Sequence, residues 1–397
     1  MADNLASLFL LDPAIAFLNH GSFGACPRPV FERYQAWQRQ LERQPVAFLD
    51  PARGLSGWMR DARVAMAGQL GVGADTIVGL TNATEALNIV AQSLVLTAGD
   101  EILTTDHEYA AVDKTFAYVA RRTGAKVVPV TIPLPLVDAE AFTTALRAAI
   151  TPRTRVLFLS HITSATALVL PITAIVAEAR ARGIVTVFDG AHAPGHIALN
   201  LTTLDADYYA GNCHKWLMAP KGSAFLYVRP DLQAGINPLV ISHGWTMDAA
   251  EPGTKGVFGN TPFIDGLEMQ GTRDPSAWLT VPDAIAFRAH HDWDRVAQRC
   301  CDLVQDTAAR VATITGLSPL SSPEFCAPQM VALPVPRCDP MALKLALLNG
   351  HGIEIPCFDW KDHTIVRVSA QGYNTQTEMD LLVSALANIL PKIALAA

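Results

Sequence analysis

Short apolar, β-branched runs recur along the chain at residues 76–80, 101–105, 126–130, 155–160, 184–189, 207–211 and 224–228. Several are almost continuously apolar, the pattern of strands buried on both faces, where a half-exposed strand would alternate. Between them, residues 85–95, 113–123 and 174–182 carry helical spacing. Strand-helix alternation of this kind predicts an α/β fold, a largely parallel, doubly wound sheet with ligands at the carboxyl ends of the strands. Residues 31–44 read as an earlier amphipathic helix, with Phe31, Tyr34, Trp37 and Leu41 along one side. Residues 233–270, rich in Gly, Pro and isolated aromatics, read as irregular. A helix from about Pro282 leads into a β-rich region (329–334, 352–356, 364–369) and a final helix over 378–389. The expected division is a large domain over 20–285 and a smaller α+β domain built from 1–19 and 286–397.

Composition narrows the classes. At 397 residues, 50% hydrophobic and 17% charged, the chain can bury a large core. A net charge of -7 offers no general attraction to nucleic acid or anionic membrane. The longest apolar region, 165–177, is short and interrupted by Pro171, so no membrane span is expected. The N-terminus carries Asp3 and no basic leader, unlike a signal peptide. Seven cysteines are scattered without CxxC spacing, which fits free thiols in a reducing cytoplasm and gives no metal site.

Candidate chemistry falls where predicted strands end. Asp189 closes one apolar run, and Lys215 follows in Gly211-Asn212-Cys213-His214-Lys215-Trp216. A carboxylate and an amine so placed can hold one small planar cofactor. Pyridoxal phosphate needs both, an amine to bond it covalently and an anion to keep its ring nitrogen protonated. An amine in an apolar site loses basicity and reacts as a free base. Leu80-Thr81-Asn82-Ala83-Thr84-Glu85 lies where a strand passes into a helix, with Thr84 as the expected cap and an anion site in the first turn. The glycines of Gly71-Val72-Gly73 precede a strand and lack a third partner, which argues against a dinucleotide fold. In Asp106-His107-Glu108-Tyr109, either His107 or Tyr109 could lie on the cofactor ring, and Tyr109 is preferred. His161, in Ser160-His161-Ile162-Thr163-Ser164, and His192 fall within reach of a ring oxygen. Arg367, inside a β-type run, calls for an anionic partner, and its planar fork suits a substrate carboxylate.

These segments, together with Phe17-Leu18-Asn19-His20-Gly21-Ser22-Phe23-Gly24 and Gln270-Gly271-Thr272-Arg273-Asp274, resemble the class V aminotransferase group of fold-type-I pyridoxal-phosphate enzymes. Within it the likeness is to the isopenicillin N epimerase-like branch, in matching order along nearly the whole chain. The resemblance implies a seven-stranded, mostly parallel sheet and covalent attachment at Lys215. It implies Asp189 beneath the pyridine nitrogen, a phosphate held by Ala83, Thr84, Asn212 and His214, and a homodimer in which Thr272 reaches the neighbour's phosphate. It also implies Arg367 as carboxylate clamp and Asn19 and His20 along the substrate pocket. Ser164 stands where relatives often have asparagine, which weakens that contact to the ring oxygen. The reaction stays open between epimerisation, carbon–sulfur cleavage and transamination of an amino acid. Cysteine desulfurases need a nucleophilic cysteine on an extended loop, whereas Cys357 follows a predicted strand closely and reads as a packed thiol. A non-enzymatic cofactor carrier would need no carboxylate clamp.

Overall fold

In the computed structural model, which describes residues 5–247, 251 and 253–394, β1 (Ala16–Phe17) lies apart from the first large sheet. That sheet holds β2 (Ile77–Leu80), β3 (Glu101–Thr105), β4 (Lys126–Val130), β5 (Thr154–Ser160), β6 (Val185–Asp189), β7 (Tyr208–Asn212) and β8 (Ala224–Val228). Its order is β2-β8-β7-β6-β5-β3-β4. β8 runs antiparallel to β2 and β7, and the other neighbours pair in parallel. The central strands are buried throughout, as their unbroken apolar runs require. β4 is the exposed edge, and it alone of the parallel strands tolerates a proline, Pro129.

Each face of the sheet builds its own core. Val78, Leu80, Phe158 and Leu226 pack under the helices Ala83–Ser93, Ala110–Thr123 and Pro262–Glu268. On the other face Leu157, Phe188, Tyr209 and Phe225 meet the helices Leu55–Leu70, Ala139–Ala149 and Thr173–Ala181. Each fully buried Leu or Phe is worth about 1.5–3 kcal/mol, so the layers hold the strand ends in fixed register. That register sets Ser160 beside Asp189, and Asp189 beside Ala210.

The C-terminal part contains β9 (Met330–Val335), β10 (Ile353–Glu354), β11 (Cys357–Trp360) and β12 (His363–Ser369). β11, β12 and β9 form an antiparallel sheet packed against the helices Trp293–Thr315 and Pro340–His351, and the helix Gln376–Ile393 packs on both of these. The last helix starts in a capping box of Thr375 and Glu378. β1 pairs in parallel with β10, so the N-terminal segment joins this part of the molecule.

Several expectations need correction. The helix after β2 is capped by Asn82, whose side chain accepts the N–H of Glu85; Thr84 is already its second residue. The segment expected to be irregular contains the helix Pro262–Glu268, begun by Thr261 as N-cap, while residues 248–250 and 252 of it lie outside the described set. Only Ile353–Glu354 of the run at 352–356 is strand, and a separate strand starts at Cys357. Asp3 also lies outside the described residues. No helix among the described residues is long and apolar enough to cross a membrane.

One buried ion pair ties these layers together. Arg63 pairs with Glu268, their side chains only 1% and 2% exposed, and Glu268 also accepts the N–H of Gly79 at 3.0 Å. Gly79 also makes room for a neighbouring indole, since a Cβ there would lie 2.4 Å from the Trp278 ring. Removing one partner strands the other charge in the core. Arg63→Met is therefore expected to lower unfolding stability by about 3–5 kcal/mol in a denaturant titration. A loss under about 1 kcal/mol would show the pair to be dispensable.

Candidate active site

The carboxyl ends of β2, β5, β6 and β7 converge on a cavity of about 140 Å³. Asn82, Ala83, Thr84, Tyr109, Ser164, Asp189, His192, Asn212, His214 and Lys215 line it, all of them singled out in the sequence, so residues far apart in the chain meet as the parallel topology predicts.

Lys215 sits on the turn leaving β7. The turn is closed by Met218 N–H to Lys215 O and Ala219 N–H to Cys213 O. Met218 adopts φ +62°, a left-handed conformation costing on the order of 1–3 kcal/mol outside glycine, which full burial holds in place. From the N-terminal segment, Gly24 at φ +69° packs against this turn, where a Cβ would fall 2.1 Å from His214 O. Burial, and then the nearby Arg367 charge, bring the Lys215 pKa down to about 7, with Asp189 opposing them. Its amine is thus free above about pH 7, well below an ordinary lysine's range. In the cofactor-free protein, labelling of Lys215 by a small aldehyde and borohydride should rise about tenfold per pH unit up to pH 7, then level off. A rate still climbing towards pH 10, followed by peptide mass spectrometry, would contradict this.

Asp189 accepts the N–H of Ala191 at 2.8 Å. Burial raises its pKa, against that hydrogen bond and the Lys215 charge, so as an anion it calls for a cationic partner. Asn212 Oδ1 accepts the N–H of Ala83 at 2.9 Å, fixing the helix start beside β7. Thr84 N–H, at the second position of the helix, has no intrahelical acceptor and faces the anion-favouring end of the helix dipole. His214 Nδ1 lies 3.2 Å from Ser223 O, and burial lowers its pKa to about 4.

Arg367, on β12, is 5% exposed and stands behind two residues of the cavity's lining, Ser22 and Ser164. Its fork donates to Ser164 O, to Ser164 Oγ at 3.2 Å and to Ser22 Oγ at 3.0 Å. Its Nε is buried with no partner, and among the described residues no carboxylate lies within ion-pair distance. A buried guanidinium held only by neutral oxygens is short of one anion.

Other candidates stand elsewhere. His107 is buried behind the cavity, its Nδ1 2.8 Å from Thr166 Oγ1 and its ring 4.7 Å from that of Trp360. Tyr109, 47% exposed, is the aromatic of that segment that lines the cavity. His161 turns away from the lining to Tyr209 OH, 2.8 Å from its Nδ1. His20 is fully buried between Tyr373 OH and Lys215 O, at 3.0 and 3.1 Å, so it braces the lysine turn from behind. Asn19 is also set back: it accepts from Ser22 Oγ at 2.5 Å and donates to Glu354 at 3.1 Å. Thr272 is exposed on a separate cavity of about 330 Å³ with Leu49, Met59, Glu268 and Arg273. No group of three or more His, Cys, Asp or Glu suited to a metal occurs among the described residues.

Sequence reasoning missed Ser22, Phe23 and Ser160, which line the cavity, and Glu108 behind them. Glu108 accepts from Ser160 N–H at 2.8 Å and Ser160 Oγ at 2.6 Å, and burial pushes its pKa up to about 8. Ser22 and Phe23 lay inside a segment already singled out, and the three-residue offset from Asn19 and His20 came from the short helix His20–Phe23.

The donor set fits a phosphorylated aldehyde cofactor: an anion site at a helix start, a free amine, a buried carboxylate lacking a cation, and a guanidinium lacking an anion. Comparison with known proteins agrees. The family model described as "Aminotransferase class-V" matches residues 26–382. The chain is 40% identical over 382 residues to an isopenicillin N epimerase of Amycolatopsis lactamdurans, covering 95% of both chains. It is 32% identical to a putative L-cysteine desulfhydrase 1 of Oryza sativa subsp. japonica, over 87% of this chain and 74% of that one. A solved structure described as a C-DES mutant with glycine covalently linked to the PLP cofactor superposes with a TM-score of 0.78 at 22% identity, over 94% and 96% of the two chains. The chain belongs to the class V aminotransferase family.

Proposed function

We infer that this enzyme uses pyridoxal 5′-phosphate to act at Cα or Cβ of an amino acid, by epimerisation or carbon–sulfur cleavage. When bound, the cofactor supplies an electron sink for negative charge developing at Cα. In this reading Lys215 Nζ provides the attachment point and then, as a free amine, takes the Cα proton. Asp189 balances the charge of the ring nitrogen. Ala83, Thr84, Asn212 and His214 hold the phosphate, Tyr109 covers the ring, and His192 and Ser164 stand at its edge. Arg367 holds the substrate carboxylate between Ser22 and Ser164. Its unpaired buried guanidinium is the observation that carries the amino-acid assignment, since a cofactor alone would leave it without an anion.

Cys357 is the first residue of β11, opposite Val366, and does not line the cavity. Burial pushes its thiol up to about 12. Both features favour direct Cα or Cβ chemistry over a persulfide route through that cysteine. Transamination is the second reading within the same family. A division into a large domain over 20–285 and a smaller one of 1–19 with 286–397 fits the pairing of β1 with β10. A homodimer is part of the proposal: Phe23 is 71% exposed at the cavity, and Leu239, Val240, Ile241, Trp245 and Met247 are also exposed. A second copy would cover that apolar surface and bring its own Thr272 to the phosphate end. Scattered free thiols are consistent with the cytoplasm as the working compartment.

The deciding experiment incubates the enzyme with a panel of amino acids in deuterated water. Cα exchange with recovery of both stereoisomers is expected for epimerisation, and a keto acid with sulfide and ammonia from cysteine-like substrates for carbon–sulfur cleavage. Keto-acid-dependent amino transfer alone would replace this reading with transamination, and no exchange with any amino acid would overturn it.

A further inference from the structure

Trp216 follows Lys215 directly, is fully buried, and turns its indole away from the cavity towards His192. We propose that Trp216 is a positioning residue that sets the tautomer of His192 and thereby holds Lys215 as an unprotonated amine. An indole N–H can only donate. It lies 3.2 Å from His192 Nδ1, which must accept. A neutral imidazole accepting at Nδ1 carries its hydrogen at Nε2, and that nitrogen is 3.0 Å from Lys215 Nζ. An Nε2–H pointing at Nζ needs a lone pair there. An amine has one and an ammonium does not.

The other states of this triad each set two donors against each other. With the hydrogen on Nδ1, His192 could accept from a Lys215 ammonium, but Nδ1–H would then face the indole N–H. A doubly protonated His192 would oppose both neighbours. Enclosure adds to the bias, because burial holds the His192 pKa well below its ordinary value and lowers that of Lys215. Of the charged and titratable groups around the pair, Asp189 favours the ammonium, while Arg367, His196 and His214 disfavour additional positive charge.

The indole has little freedom to rotate out of this arrangement. His196 stacks on it at 3.8 Å between centroids, and the His20 ring lies 5.1 Å away. His196 is itself fixed, since Gln329 N–H donates to its Nε2 at 2.9 Å, leaving Nδ1–H to donate to His192 O at 3.1 Å. Ring and backbone of His192 are therefore both held. A functional consequence follows: after Lys215 takes up a proton, its ammonium finds no acceptor in His192, so the lock favours prompt release of that proton.

The assignment of Lys215 as the attachment lysine belongs to the proposed function, and the tautomer can be tested apart from it. Full-length protein freed of cofactor and labelled with ¹⁵N-histidine would be compared by NMR with the His192→Gln protein to identify the His192 signals. The expected result is an unprotonated Nδ1 and a protonated Nε2. The reverse pattern overturns the proposal, and this result decides the matter even if Trp216→Phe fails to fold. In Trp216→Phe, which keeps an aromatic in the stack, the pH midpoint for aldehyde labelling of Lys215 should rise by about one unit, a roughly tenfold slower reaction below the midpoint. A midpoint unchanged in a folded variant also overturns it. Borohydride fixation of cofactor to a lysine other than Lys215 would instead refute the attachment site and leave the tautomer result standing.

Discussion

Lys215→Ala is expected to lower kcat by at least about 10³-fold while leaving the fold intact. Positioned proton transfer by one side chain contributes about 10²–10⁴-fold, and Lys215 is proposed to supply covalent attachment as well. The loss should be one of chemistry more than of cofactor affinity. In the proposed reading Asn212 and the start of the helix Ala83–Ser93 hold the phosphate without help from the lysine, and Asp189 lies on a different strand. The variant is thus expected to take up the cofactor yet release it all on denaturation, even after borohydride treatment. Wild-type protein should retain a reduced adduct on Lys215. Activity within about tenfold of wild type, or an adduct on another lysine such as Lys221, would remove Lys215 from the reaction. Lys221 offers a useful contrast, because its Nζ already donates to Gly24 O at 2.8 Å and it does not line the cavity.

Arg367→Ala carries the second large effect. Breaking a buried, hydrogen-bonded charge contact costs about 2–5 kcal/mol, which corresponds to roughly 30-fold to 4,000-fold in kcat/KM. Most of it should appear in KM, since the guanidinium would hold the carboxylate before and during reaction alike. Arg367→Lys should recover little, because an ammonium cannot span Ser22 and Ser164 while also presenting two parallel donors to a carboxylate. Cofactor affinity, followed by visible absorbance, should stay near that of wild type. Equal losses in cofactor and substrate binding would show that Arg367 shapes the whole cavity and does not clamp the substrate.

The two predictions bear on attachment and binding; in the proposed reading the product would depend on what faces Lys215 across the cofactor. Tyr109 lines the cavity on the β3 side and Phe23 on the N-terminal side. Glu108, held by Ser160 behind the wall, has burial pushing its pKa up to about 8. Their roles separate along the same amino-acid panel, since epimerisation needs a proton from the face opposite Lys215 and cleavage needs one at the leaving group.

Much of this architecture was legible before any coordinates. Apolar runs closed by Asp189, Ser160 and Gly211 marked buried strands and their ends, because a strand covered on both faces cannot alternate. A parallel sheet then obliges those ends to meet at one rim, so Lys215 and Asp189 had to be neighbours. Element edges were less certain: the helix start belongs to Asn82 and not Thr84, since both are good caps and only backbone direction chooses between them. The sequence by itself determined the sheet, and it brought Lys215, Asp189 and Arg367 forward as the candidates for attachment, ring-nitrogen partner and carboxylate clamp. Tertiary structure alone decided which of two adjacent side chains points inward. It sent His107 behind the cavity and Tyr109 into it, put His20 and Asn19 behind Ser22, and laid Trp216 against His192. The physical reason is directional: periodicity reports how much of a segment is buried, whereas a hydrogen bond depends on where each atom faces, and only the packed fold sets that.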